Sequence, residues 1–178
     1  MLLISPIIGY RFWSLINISK KVYLSSTLVD IPWQYKECIE AIDIYENRPI
    51  SRPDNTFPGV HAFKKGSIKR TYADLFGSVY LWGQVSEHTK GYRAEFAYPK
   101  NLIGVECCYC KKFFPFNGVF VNLWIRLKFY CDEHKKLIAP GKYKIIDGPK
   151  LLLDLNDSYQ LEAPAYDEFK YFSTKFNL

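Results

Sequence analysis

The chain contains no apolar run approaching the roughly 18 to 20 residues of a membrane-spanning helix. It also has no block of like charge, no Gln/Asn or Gly/Ser tract and no internal repeat, which argues against wholesale disorder and against a solenoid. A phosphate-binding loop, a dinucleotide fingerprint, a nucleophile elbow and a catalytic metal motif are all missing, so no motif supports an enzyme. The opening "MLLISPIIGY" lacks a basic lead, contains Pro6 and runs into "RFWSL" without a small-residue cleavage site, so it reads as a strand rather than a leader. The expectation is a soluble, cytoplasmic protein without a membrane partner.

What is present bounds the rest. The 178 residues, 48% hydrophobic and 17% aromatic, are enough for one ordinary domain with a real core, or one domain plus a small module. Five cysteines, an odd number without an export signal, argue against a disulfide framework and for metal binding. The net charge of +6 is uneven: residues 1–99 hold 12 Lys and Arg against 9 Asp and Glu, residues 100–150 hold 10 against 4, and residues 151–178 hold 2 against 5. The basic excess surrounds the cysteines, which favours a polyanionic partner.

"IIGYRFWSL" and "KKVYLSSTLV" read as two strands of a meander, rich in β-branched and aromatic residues. In "PWQYKECIEAIDIY", Trp33, Cys38, Ile39 and Ile42 fall near helical spacing, which predicts a helix with Cys38 in the core. "ENRPISRPDNTFPG" is a loop and a candidate hinge or binding loop, "GVHAFKK" a short strand, and "SIKRTYADLF" a short helix opened by Ser67. In "GSVYLWGQVSEHTKGYRAEFAYP" Val79, Leu81, Gly83 and Val85 share one face and Tyr80 and Trp82 the other, around an "HTKG" turn, so a hairpin with an interior strand is expected. "PGKYKIIDGPKLLLDL" reads as a strand pair broken at Asp147-Gly148, before an acidic aromatic tail that closes the domain.

The segment "VYLWGQVSEHTKGYRAEFAYP" resembles the motif V-x-L-W-G-x-V-x-E-H-x-x-G-Y-R-A-E-x-A-Y-P of a family of uncharacterised bacterial proteins. "GYRFW" and "GVHAFK" agree with it, so the resemblance covers about the first 100 residues. It implies a related fold and a bacterial or mobile-element origin, and it assigns no chemistry. Where that family suggests a C-x-C-G-I-Y-A-like approach, this chain has "NTFPGVHA".

Cys107 and Cys110 stand in C-x2-C spacing, Cys131 and His134 in C-x2-H spacing, with 20 residues between the pairs. Two intervening residues let a tight turn aim both side chains at one ion, and a hairpin turning at Asn117-Gly118 brings the pairs together. "CDEHKKLI" is expected to form a short helix, so that knuckle, hairpin and helix resemble a treble-clef zinc finger. Thiolates with one imidazole favour zinc, and four protein ligands leave no open position, so the zinc is structural. The opposing reading is buried cysteines without metal. Cys108 is an alternative first ligand, but C-x-C makes the poorer turn.

The expectation is therefore an α+β fold: a mainly antiparallel core with one or two short helices over residues 1–102, a zinc module over 103–140, and terminal strands and tail over 141–178 packing on the core. The leading function is non-enzymatic nucleic-acid contact, with Lys111, Lys112, Arg126, Lys128, Lys135 and Lys136 on phosphates, supported by Lys142 and Lys144. Phe113, Phe114, Phe116, Trp124 and Tyr130 interleave with them for stacking, although they serve equally as the module's core. A second reading is a protein-interaction factor, an inhibitor or adaptor from a mobile element. A third is a hydrolase using His88 and Glu87 with Arg93 and Glu95 near the hairpin turn, His61 being weaker still. Against it, cross-strand ion pairs are commoner at hairpin ends.

Overall fold

The run Ile7–Ile18 forms a strand buried on both faces through most of its length, and the rest of the fold is arranged around it. The computed structural model describes residues 5–27, 31–43, 48–49, 59–68, 74–163 and 166–176. Its strands are β1 (Ile7–Ile18), β2 (Lys21–Ser26), β3 (Ile39–Glu40), β4 (Ile42–Asp43), β5 (Arg48–Pro49), β6 (Val60–Phe63), β7 (Leu75–Glu87), β8 (Gly91–Glu106), β9 (Phe113–Phe114), β10 (Gly118–Leu123), β11 (Arg126–Cys131) and β12 (Lys144–Asp147). Two helices follow, α1 (Gly148–Tyr159) and α2 (Tyr166–Phe176). The fold is α+β with a mainly antiparallel sheet.

β1 pairs with β7 from Ile7 to Trp13 and with β2 from Trp13 to Ile18, and it also meets β6 at Tyr10↔Phe63 and β11 at Leu15↔Leu127. Since β7 pairs with β8 and β8 with β6, the pairings β1–β7–β8–β6–β1 close a ring. The closure point is tight: a Cβ on Gly9 would lie 2.5 Å from the Cβ of Ala62 on β6. β10, β11 and β12 continue the same sheet from β1.

Strand alternation sends β1 side chains to two cores. Trp13 and Leu15 join Leu24, Leu81, Phe120 and Phe129 in the larger cluster, which α1 seals with Leu151, Leu155 and Tyr159. The Tyr159 hydroxyl accepts from the Leu24 N–H at 3.1 Å and donates to the Trp33 carbonyl at 2.5 Å. Tyr10 and Phe12 join Phe76, Ile103 and Phe113 on the other side, under Phe172 and Phe176 of α2.

Three local expectations fail. Residues 32–45 hold no helix among those described: Trp33 is buried, Ile39 and Glu40 pair with β8, and Cys38 is exposed rather than in the core. Pairing to the long β8 edge overrides the near-helical spacing. The strand pair expected over 140–155 is one short strand and a helix, because Asp147 caps the helix by accepting from the Lys150 N–H at 3.1 Å and Pro149 sits in its first turn. The acidic aromatic tail contains α2, whose Phe172 and Phe176 are buried in the second core. Lys65–Ser67 is a single 3-10 turn, so Ser67 does not open a helix at 67; residues 69–73, and most of the candidate loop at 46–59, lie outside the described residues.

Candidate metal centre

β8 ends at Glu106, and the chain turns through Cys107 to Cys110 before β9 returns against it. The knuckle is closed by the Lys111 N–H donating to the Cys107 carbonyl at 2.9 Å and the Cys107 N–H donating to the Lys112 carbonyl at 2.9 Å, with Lys111 at φ 61°. Cys131 is the last residue of β11, and the His134 N–H donates to its carbonyl at 2.9 Å. A further bond, Cys108 N–H to Phe129 carbonyl at 2.9 Å, docks the knuckle on β11.

One ligand atom from each of Cys107, Cys110, Cys131 and His134 lies within 4.8 Å of every other, and Cys131 Sγ is 3.1 Å from His134 Nδ1. Donors bound tetrahedrally at ordinary zinc distances stand roughly 3.5 to 3.8 Å apart, so the cluster fits one metal ion with little rearrangement. Cys107 and Cys131 are buried. Burial opposes ionisation of Cys107, but the N–H groups of Cys131, Cys110 and Tyr109 directed at its sulfur outweigh burial and hold the thiol below its ordinary range. Burial, with the neighbouring Cys107, pushes Cys131 up to about 11. Sulfurs this close resist ionising together, and a divalent cation between them removes that conflict. Cys108 stands outside the cluster, bonded through its side chain to Tyr130.

The supporting structure differs from a treble clef. The hairpin turns at Trp124-Ile125, with Leu123 facing Arg126, and not at Asn117-Gly118. Gly118 begins β10 opposite Cys131, where a Cβ would lie 2.4 Å from the Tyr130 carbonyl oxygen, so this glycine serves close strand approach. After Cys131 comes a turn and one 3-10 turn at Lys135–Leu137 rather than an α-helix. Four protein donors would fill the tetrahedron around an ion such as zinc and leave no position for an activated water.

The proposed phosphate ligands divide. Lys111, Lys112, Lys135 and Lys136 are exposed, while Arg126 and Lys128 are half-buried. Lys128 lies 2.6 Å from Asp74, Lys135 2.8 Å from Asp132, and Lys111 4.0 Å from Glu106. Of the aromatics, Phe113 and Phe116 are buried and Phe114 and Tyr130 half-buried, whereas Trp124 is 94% exposed.

The carboxylates of the hydrolytic set have other partners. Glu87 pairs with Lys64 at 2.6 Å, and Glu95 accepts from the Gln84 N–H at 3.0 Å across a bulge. His61, His88, Lys90 and Arg93 line an open cavity of about 190 Å³, with no carboxylate among its lining residues. Partial desolvation and the charges of Arg93, Arg11 and His88 push the His61 imidazole down to about 4, which suits a proton acceptor poorly at neutral pH.

Sequence reasoning missed Asp74, whose partner Lys128 is 54 residues away. It also missed the pairing of the β1–β2 and β10–β11 tips, although two six-residue β-rich runs flanking Trp124-Ile125 marked that turn. No family model, curated protein or solved structure matches the chain.

Proposed function

We propose that the chain is a non-enzymatic binding protein in which a structural zinc ion, held by Cys107, Cys110, Cys131 and His134, supports a basic surface that contacts nucleic acid. The convergence of those four donors carries the reading, since a closed donor set explains the cysteines without catalysis. The cation excess of residues 100–150 supplies the rest. Lys112 and Lys136 are exposed and, with Lys111 and Lys135, remain the module's phosphate-facing candidates. Lys128 is assigned to Asp74 instead.

Phosphate contact makes affinity fall steeply with salt, by about 0.7 in log–log slope per phosphate neutralised on a single strand. Titration of the metal-loaded protein with an oligonucleotide at several salt concentrations tests this. A flat response, or no binding, removes the reading. A second reading, a protein-interaction factor from a mobile element, is favoured by one observation: among the described residues β12 ends the sheet order, and its Ile145 is 51% exposed. An unpaired strand edge offers main-chain groups to an added strand.

A further inference from the structure

Trp124 stands out among the four tryptophans: Trp13 and Trp33 are buried at 0% and 2% exposure, Trp82 is at 36%, and Trp124 is at 94%. Its backbone is equally costly. Trp124 is the first of the two residues joining β10 to β11 and has φ 64°, in the left-handed region where a two-residue turn calls for glycine. Folding therefore gains nothing from an indole at this position, and backbone strain of this kind collects at functional sites.

The neighbouring tip repeats the pattern. β1 and β2 are joined by Ser19 and Lys20, at φ 51° and 69°, so three of the six non-glycine residues with positive φ among the described residues lie in two turns. The tips are fastened together: the Asn17 N–H donates to the Ile125 carbonyl at 2.6 Å, beyond the Ile16↔Arg126 pair. Ile18 and Ile125, on the two joined tips, are 43% and 58% exposed, Lys20 and Lys21 are exposed, and residues 17–21 and 122–126 contain no acid.

We propose that single-stranded nucleic acid is held at these joined tips, with Trp124 as the stacking platform for an unpaired base, Ile18 and Ile125 as its apolar flanks, and Lys20 and Lys21 on the phosphates. The inference rests on the nucleic-acid reading above and moves its main contact away from the Lys111-Lys112 knuckle. Charge complementarity selects the partner. An aromatic face among cations suits bases joined by phosphates, whereas protein interfaces are depleted in lysine and need far more area than two turns present.

The test uses the metal-loaded full chain, a labelled oligothymidylate and, in parallel, phosphatidylserine-containing vesicles. Trp124→Asn keeps a residue that tolerates the left-handed turn, so its melting temperature holds or rises while affinity for the oligonucleotide falls about 5-fold to 150-fold, the range for loss of one stacked base. Trp124→Phe retains most of the affinity. Lys20→Ala and Lys21→Ala each lower the salt slope by about 0.7. Wild-type affinity and slope in all the tip variants, with loss on Lys111→Ala/Lys112→Ala, overturns the tip site and leaves the nucleic-acid reading intact. Absence of oligonucleotide binding by the wild-type protein overturns both. Vesicle binding that depends on Trp124 without oligonucleotide binding assigns the tips to a lipid surface and also overturns the proposal.

Discussion

Lys128 Nζ lies 2.6 Å from Asp74 Oδ1, and Asp74 is only 5% exposed. Burial raises the pKa of this carboxylate, and Lys128 is the largest charge that works against that rise, ahead of Arg126 and Lys111. Lys128→Ala should therefore lower stability by about 2 kcal/mol, the range for stranding a buried polar or charged group after allowing for the partly exposed lysine. Denaturant unfolding measures it. An unchanged midpoint together with weaker nucleic-acid binding would return Lys128 to the binding surface.

Metal content separates the ligands from the spare cysteine. Protein produced in zinc-supplemented medium should carry close to one equivalent; Cys131→Ser should lose it and unfold more readily, and Cys108→Ser should retain it. Chelation of the wild-type protein should loosen the knuckle and the end of β11, because the four donors come from these two segments and a bound ion would join them. Metal-free wild-type protein that melts normally would refute the centre.

The lowered pKa of His61 predicts a pH dependence. The unfolded chain takes up this proton near 6.5 and the folded protein only near 4, so the unfolded state binds more protons between those values. The contribution of His61 to stability is thus present above about pH 6.5 and is lost as pH falls toward 4. Acid also protonates metal ligands, so the readout is the difference between wild type and His61→Asn: the variant should show a shallower loss over that window. Parallel curves would show that His61 titrates as it does in the unfolded chain.

Glu168 fastens α2 to the sheet. It accepts from the Tyr10 hydroxyl at 2.9 Å and from Asn101 Nδ2 at 3.1 Å, and Asn101 Oδ1 accepts from the Ser78 hydroxyl at 2.8 Å. Glu168→Ala leaves the fully buried Asn101 amide without this acceptor, at about 1 to 3 kcal/mol. Amide exchange in residues 166–176 should accelerate while β7 stays protected. Uniform acceleration in both would mean that α2 is not an independently releasable unit.

Legibility followed the range of the interaction. Val79 and Leu81 are fully buried as the alternation in "VYLWG" requires, and C-x2-C with C-x2-H marked the donors that converge, because both signals are local. Asp147-Gly148-Pro149 also contained a local signal, a helix cap, but Asp-Gly serves turns equally well, and the buried Leu151, Leu155 and Tyr159 decide for the helix. Trp124 was visible as an aromatic among cations; its 94% exposure was not, since only the register of β10 against β11 makes it a turn residue. The pairing of Lys128 with Asp74 and the ring through β6 depend on distant partners, which no window of sequence displays.

The ring of strands also governs how the chain must assemble. β1 is synthesised before residues 75–81 and 126–127, which supply its β7 and β11 partners, and the two halves of the metal centre are themselves separated by the β10–β11 hairpin. Until those segments emerge, a nascent chain can offer β1 only the hairpin with β2 and the single contact with β6, leaving Phe12, Trp13 and Leu15 without most of the packing they have in the finished fold. Long-range pairing of this kind is slow, and it leaves an aromatic-rich, open-edged intermediate that is prone to aggregate. A strand central to the native sheet is thus the one most in need of protection during biosynthesis, and the four converging donors of the later segments come together only after that interval has passed.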